Sequence, residues 1–354
     1  MIDSHGSLVF FIALIILGAL FLTVSFANGN RVKENSLYIV ALAIFTLFGA
    51  SYFRFGFGYD YDSYLSLFDS LPDCNCYSKG PLFFYGMYFL KSLGVSFDLF
   101  LALVSSISIA LLFSVIKRVL NQNILFPLLI IISLYFFVSL MGQVRQFLAI
   151  SVAAYSIINI RRVDLSVVAF LISVLVHPSV LVLAPGYYFF RRSLLPPVFV
   201  PFILIVGTFL LGYMGVIFNV ISLFFDVPVL GVYAVKISNY HENWISSGTS
   251  LSLYTVVLTQ AIFFSAYGRI SRDALARGLY VISLSGSLLV FILYQDSHIY
   301  GRIIKIFRIF DFLLIFRVLY IGGYSPGFKL AVNILILLFA ISFLIKDYLR
   351  LQSL

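Results

Sequence analysis

Charge is what this chain has least of. Only 10% of its 354 residues are Asp, Glu, Lys or Arg, against about 25% in soluble domains. With 62% hydrophobic residues and a mean hydropathy of +1.08, the composition excludes an ordinary soluble domain. Cysteine is almost absent: the two present are Cys74 and Cys76. Their C-x-C spacing falls short of a four-ligand zinc site. A bridge across one residue would be strained, so two free thiols in a loop are an equal reading. Trp244 is the only tryptophan. Acid is scarcer than base, 14 residues against 23, for a net charge of +9. In a membrane chain such an excess collects in cytoplasmic loops, so no nucleic-acid partner is expected.

What is present instead is apolar sequence in uncharged runs of about 20 residues, the length of a membrane helix. The expected fold class is all-α: a polytopic membrane protein of about 11–12 transmembrane or half-membrane helices. One integral membrane domain over residues 1–354 is the economical reading, with external loops at 54–96 and 226–250. Leu8 to Ala27 lacks a basic flank and a small-residue cleavage site, and reads as a retained helix. No internal repeat is evident.

Lys and Arg in short loops orient the helices. The spacing predicts helices over Ser7–Ala27 and Leu37–Phe53, then an acidic external loop to Gly80 with Asp60, Asp62, Asp69 and Asp73. Pro81–Leu93 is 13 residues, about 20 Å as a helix. It is short for a span and is read as interfacial. Further helices are expected over Phe97–Ile116, Ile124–Leu140 and Phe147–Ile160. Leu165–Phe190 should break at His177-Pro178, because proline removes a helix hydrogen bond and disfavours helix before it. Leu194–Phe225, Leu251–Tyr267, Leu279–Tyr294, a cationic helix from Arg302, and Leu330–Ile345 complete the chain. On this count Lys346 and Arg350 fall outside, against the charge rule.

Arg145 interrupts sequence otherwise uncharged from Asn121 to Ile160. That run must turn, and Gly142 is the natural place. An ionisable group at such depth marks a functional site; the alternative is an arginine snorkelling to headgroups. Arg302, Lys305 and Arg308 are each three apart on one broad helix face, with Asp311 placed to pair with Arg308. Three cations at a span's outer end call for an anion, and the guanidinium fork suits a lipid-linked phosphate or diphosphate. Otherwise they are a structural ion pair with snorkelling ends.

Arg54, Asp60 and Tyr64 lie in a loop of glycines, aspartates and tyrosines. Aspartate binds sugar hydroxyls, and an aromatic face packs on sugar C–H groups. Glu242 and Trp244, with Tyr233 and Tyr240, repeat the mixture in the second external loop. An interfacial aromatic belt is the plainer account. The D-x-D of Asp60 and Asp62 is too common a pattern to assign a metal. His177 sits beside the Pro178 break, where freed backbone groups favour a polar cavity.

Four stretches carry a family likeness. They are Arg54-x-Gly-x-Gly-Tyr-Asp60-Tyr-x-x-Tyr64, then Val144-Arg145-Gln146-Phe147-Leu148-Ala149, then His177-Pro178-Ser179, then Arg302 to Phe312. Together they resemble the EpsG family of Wzy-like polysaccharide polymerases. Lys79-Gly80-Pro81 departs from a family pattern that often has Glu there. The resemblance implies a GT-C-like glycosyltransferase of the bacterial inner membrane, without cofactor or metal. Its substrates would be undecaprenyl-diphosphate-linked oligosaccharides at the periplasmic face. A chain-length regulator and a flippase would be its partners. The growing glycan would pass from its lipid diphosphate to the terminal sugar of a new repeat. Arg145 and the Arg302/Lys305/Arg308 face would hold the leaving charge. Asp60, His177 or Glu242 would take the acceptor proton, and one base suffices if configuration inverts. Arg54, Tyr64, Gln146 and Trp244 would bind substrate. An O-antigen ligase, or a transporter of lipid-linked sugars, are the alternatives.

Overall fold

The computed structural model describes residues 60–73, 80–120, 125–135, 143–192, 195–213, 251–293, 297–321 and 323–352. The expected helices Ser7–Ala27 and Leu37–Phe53, both cysteines and the loop 226–250 lie outside the described residues. Every regular element among the described residues is helical. In order they are α1 (Tyr61–Asp69), α2 (Pro81–Ser92), α3 (Phe97–Leu120), α4 (Leu125–Tyr135), α5 (Val144–Ile158) and α6 (Val163–Val176). A 3-10 turn (Pro178–Leu183) leads to α7 (Ala184–Arg192), α8 (Phe199–Tyr213), α9 (Leu251–Ser265), α10 (Tyr267–Ile270), α11 (Ala274–Ile292), α12 (Ser297–Ile321) and α13 (Pro326–Gln352). Two of them, α3 and α11, are long and apolar enough to cross a membrane, with mean hydropathies of 2.6 and 1.8.

The burial pattern of α6 is that of a membrane helix. Val163, Leu165, Val168, Leu171 and Leu175 are exposed, while Ser166, Phe170, Ser173 and Val176 are buried. The helix is apolar outside and partly hydroxylic inside. In lipid there is no hydrophobic force between helices, so small residues and hydroxyls form the contact faces. The same holds for α3, which buries Ser105 and Ser108, and for α5, which buries Ser151 and Ser156. Ser166 Oγ donates to the Ser156 carbonyl at 2.7 Å, and Asn159 Nδ2 to Ser114 Oγ at 2.6 Å. These bonds tie α6 to α5 and α5 to α3.

Two compact units divide the chain: Met1–Leu181 with Gly323–Leu354, and Val182–Gly322. In the first, α5 packs on α3 and α6, α2 on α1, α3 and α6, and α4 on α3 and α13. In the second, α11 is the hub, packed against α7, α8, α9, α10 and α12. Gly278 and Gly286 of α11 make room for the rings of Phe190 and Phe307; a Cβ at either would overlap the ring.

Several boundaries differ from the sequence reading. Residues 61–69 form a helix where a loop was expected, because Tyr64 and Phe68 are four apart and bury against neighbouring rings. Lys91 fastens this helix. Its ammonium donates to the carbonyls of Phe68, Asp69 and Leu71 at 2.6, 2.9 and 3.0 Å. These carbonyls lie at and just past the C-terminus of α1, where the intrahelical ladder runs out, and Phe68 O also accepts from the Leu71 N–H at 3.3 Å. Lys91→Met keeps the stem but removes three charge-assisted bonds. It is expected to cost about 1–3 kcal/mol, read as a lower melting temperature and faster hydrogen exchange confined to α1.

At the other end of the chain, α11 begins at Ala274, earlier than Leu279. Asp273 caps it, accepting from the Ala276 N–H at 2.7 Å. The same carboxylate receives Arg317 of α12 through both oxygens, with Nη2–Oδ2 at 2.7 Å. Burial pushes the Asp273 carboxyl up, but the Arg317 guanidinium and the capped N–H outweigh it and hold the group below its ordinary range. A depressed carboxyl stabilises the fold above the unfolded value and loses that contribution as pH falls. Asp273→Ala should therefore cost about 1–2 kcal/mol at neutral pH. The gap between wild type and variant should close below about pH 4. A constant gap in thermal unfolding across that range would refute the cap-and-pair account.

Candidate functional site

The break at His177 is as the sequence predicts. α6 ends at Val176, His177 is extended (φ −153°, ψ 116°), and the chain resumes as a 3-10 turn from Pro178. Arg145 is placed differently. It lies within the first turn of α5, which begins at Val144, and not in a loop around Gly142–Gln146. Gln143 supplies the cap position but no side-chain cap bond. The amides of this first turn and the guanidinium therefore share one end of a helix, whose dipole is positive there.

Among the described residues, Arg145 is held from three directions. Its guanidinium lies over the Phe84 ring of α2, 5.3 Å from the centroid. It hydrogen-bonds the hydroxyl of Tyr64 in α1. Gly80, just before α2, lets the arginine pass. A Cβ there would stand 3.3 Å from Nη1 and 2.6 Å from the Val176 carbonyl oxygen.

Tyr64 is buried, with its ring 5.9 Å from that of Phe83. Burial pushes its phenol up to about 12; Arg145 opposes that rise and the charge of Asp60 adds to it. The phenol thus keeps its proton and accepts from the guanidinium. Asp60, at the start of α1, is half-buried and close enough to act on Tyr64 electrostatically. Asp62 is exposed one turn-step later. Side chains two apart on a helix do not face each other, so the D-x-D pattern does not gather both acids at one place.

Gln146, beside Arg145, is buried and turns toward the break. Its Nε2 donates to Ser179 Oγ at 3.4 Å, and Ser179 Oγ lies 2.7 Å from His177 Nδ1. Asp60, Tyr64, Gly80, Phe84, Arg145, Gln146, His177 and Ser179 thus belong to one cluster of the first unit. Sequence reasoning missed Gly80, Phe84 and Ser179. The His177-Pro178-Ser179 string contains Ser179, but only the fold brings its hydroxyl back to the imidazole.

A second polar cluster lies in the second unit. Arg308 of α12 donates from Nη2 to Thr255 Oγ1 of α9 at 3.0 Å. Asp311 takes the Ser283 hydroxyl of α11 and feels the charge of Arg308. Gln260 of α9 donates to Ser283 and Ser287 at 3.1 and 2.8 Å. The Arg308–Asp311 neighbours expected to pair along one helix face each reach for another helix. Lys305 stands one turn before Arg308 on α12 and is half-buried. Arg54, Glu242 and Trp244, and the side chain of Arg302, lie outside the described residues.

The sequence profile of the EpsG family matches residues 37–352. Comparison with curated proteins and with solved structures returns no match.

Proposed function

This chain belongs to the EpsG family, a Wzy-like polymerase family, and from that premise we propose a membrane glycosyltransferase that polymerises lipid-linked repeats. The donor is a growing glycan on undecaprenyl diphosphate. The acceptor is the non-reducing end of one lipid-linked repeat, and the face is the periplasmic one of a bacterial inner membrane that the chain crosses several times.

The observation that carries this reading is the setting of Arg145. A guanidinium stacked on an aromatic ring, bonded to a protonated phenol and set at a helix N-terminus to which Gln143 gives no side-chain cap bond is a cradle for an anion. A diphosphate is the anion whose geometry its fork matches. Asp60 supplies a carboxylate beside the same cluster.

In the proposed step the acceptor hydroxyl oxygen attacks the anomeric carbon. The new C–O bond forms as the bond to the diphosphate oxygen breaks. The diphosphate leaves with that electron pair, and the hydroxyl proton passes to Asp60. Arg145 stabilises the charge that grows on the leaving oxygen, an electrostatic contribution that needs no reorganisation. One displacement with one base inverts configuration; a retaining route would need a second, nucleophilic carboxylate. Lys305 and Arg308, with Arg302 on the same helix, are assigned to phosphate binding in the second unit. A GT-C-type architecture, with a chain-length regulator and a flippase as partners, belongs to this proposal.

The test is purified protein given a lipid-linked repeat in detergent. Products longer by whole repeats support the reading, and an unchanged repeat overturns it. In cells, a knockout whose lipid core carries a single repeat indicates a lost polymerase. A bare core indicates a ligase instead.

A further inference from the structure

We infer that Ser179 and Gln146 fix His177 as a neutral imidazole protonated on Nε2, so that His177 serves as a hydrogen-bond donor to a phosphate oxygen and not as the acceptor of the sugar proton. This rests on the transferase reading for its substrate, though not for its tautomer.

The backbone sets the tautomer of the ring. The Ser179 N–H points at His177 Nδ1 at 3.2 Å. An amide N–H can only donate, so Nδ1 must present its lone pair. The Ser179 hydroxyl reaches the same nitrogen at 2.7 Å and, facing that lone pair, donates as well. Its own oxygen is then open to accept, and Gln146 Nε2 fills that role from 3.4 Å. The donation runs one way: Gln146 to Ser179 to His177. A ring whose Nδ1 accepts two hydrogen bonds carries its proton on Nε2.

Pro178 makes the arrangement local. It keeps residue 179 from continuing α6, and the extended His177 lets its ring fold back over the next peptide. Gly80 joins this relay to the guanidinium, because it lies against both Arg145 and the Val176 carbonyl that precedes His177. A donor N–H and a guanidinium in one cluster suit the same anion. Among the described residues of the cluster, Asp60 is then the side chain with a basic oxygen for the acceptor proton.

Ser179 and Gln146 are positioning residues, and two independent readouts test them. The first is nitrogen NMR of protein labelled with 15N-histidine in lipid nanodiscs. The His177→Gln spectrum identifies which of the four histidines is the one in question. A bare Nδ1 with a protonated Nε2 is expected. Ser179→Ala should broaden this toward a tautomer mixture, and Ser179→Thr should restore it. A proton on Nδ1 in the wild type overturns the inference. The second is repeat extension by the same proteins. Glutamine places an amide N–H near the Nε2 position, so His177→Gln should stay within about tenfold of wild type. His177→Ala should fall about a hundredfold, the usual loss of a donor to developing negative charge. Equal loss in both, at equal folded yield, would make His177 a base and sink the proposal. Wild-type protein that extends no repeat would sink the transferase reading alone, leaving the NMR result to decide the tautomer.

Discussion

Replacing Arg145 by lysine should leave a folded protein that makes about a hundredfold less polymer. The long alkyl stem and positive charge remain, so contact with the Phe84 ring survives and α5 should still dock. What goes is the planar fork. An ammonium is a compact point charge and cannot donate two parallel hydrogen bonds to a diphosphate while keeping a third to Tyr64. The measurement is the length distribution of polymer from a knockout strain carrying either protein at equal membrane abundance. A wild-type ladder from Arg145→Lys would remove phosphate recognition from the role of this residue.

Gly80→Ala should be nearly as damaging, for reasons of space alone. The backbone of Gly80 is extended (φ 168°), which any residue can adopt. The added methyl, however, would lie 2.6 Å from the Val176 carbonyl oxygen, 3.3 Å from Arg145 Nη1 and 3.5 Å from its Cδ. The carbonyl is backbone at the end of α6 and cannot swing away. Either α2 retreats, carrying Phe84 with it, or the guanidinium is displaced. Overpacking of this kind costs about 1–3 kcal/mol. A displacement near 1 Å at a reacting centre can cost about a hundredfold in rate. Gly86→Ala is the matched control: it lies on the same helix with nothing within 4 Å of the added methyl. Extension lost in Gly80→Ala and kept in Gly86→Ala is the expected pair. Full activity in both would show that the approach of α2 to α6 does not set the position of Arg145.

What could be read from the sequence depended on how far each signal travels along the chain. The His177 break was legible because Pro178 acts on its immediate neighbour. The long apolar helices α3 and α11 were legible because lipid demands length and hydrophobicity in a continuous run. The short α1 was not, since the aspartates and glycines of the stretch 54–80 around it suggested a loop, although the Tyr64/Phe68 spacing was there to be seen. Arg145 stood out by its isolation, but Gly142 drew the turn too far into what is the first turn of α5. The partners that give these groups meaning are separated from them by the fold. Asp273 and Arg317 are 44 residues apart, Gln146 and Ser179 are 33, and Lys91 reaches back 23 to Phe68. No periodicity announces such pairs. Hydroxyls are the least legible of all, because serine occurs in loops, caps and membrane interfaces with no local mark to separate them.

The buried serines of α6 reverse a familiar rule of protein engineering. In a soluble domain, exchanging an interior hydroxyl for a methyl-rich side chain is a standard route to a tougher molecule. Here Ser166 and Ser173 are fully buried, Ser166 against the Ser156 carbonyl of α5, and the greasy residues already occupy the outside. A leucine at Ser173 would add nothing that lipid does not already offer the helix, and it would prise the bundle apart. Thermostabilising libraries for this protein should therefore leave the small inward positions alone and vary the outward Val and Leu of α6, where any oily side chain of similar bulk is interchangeable.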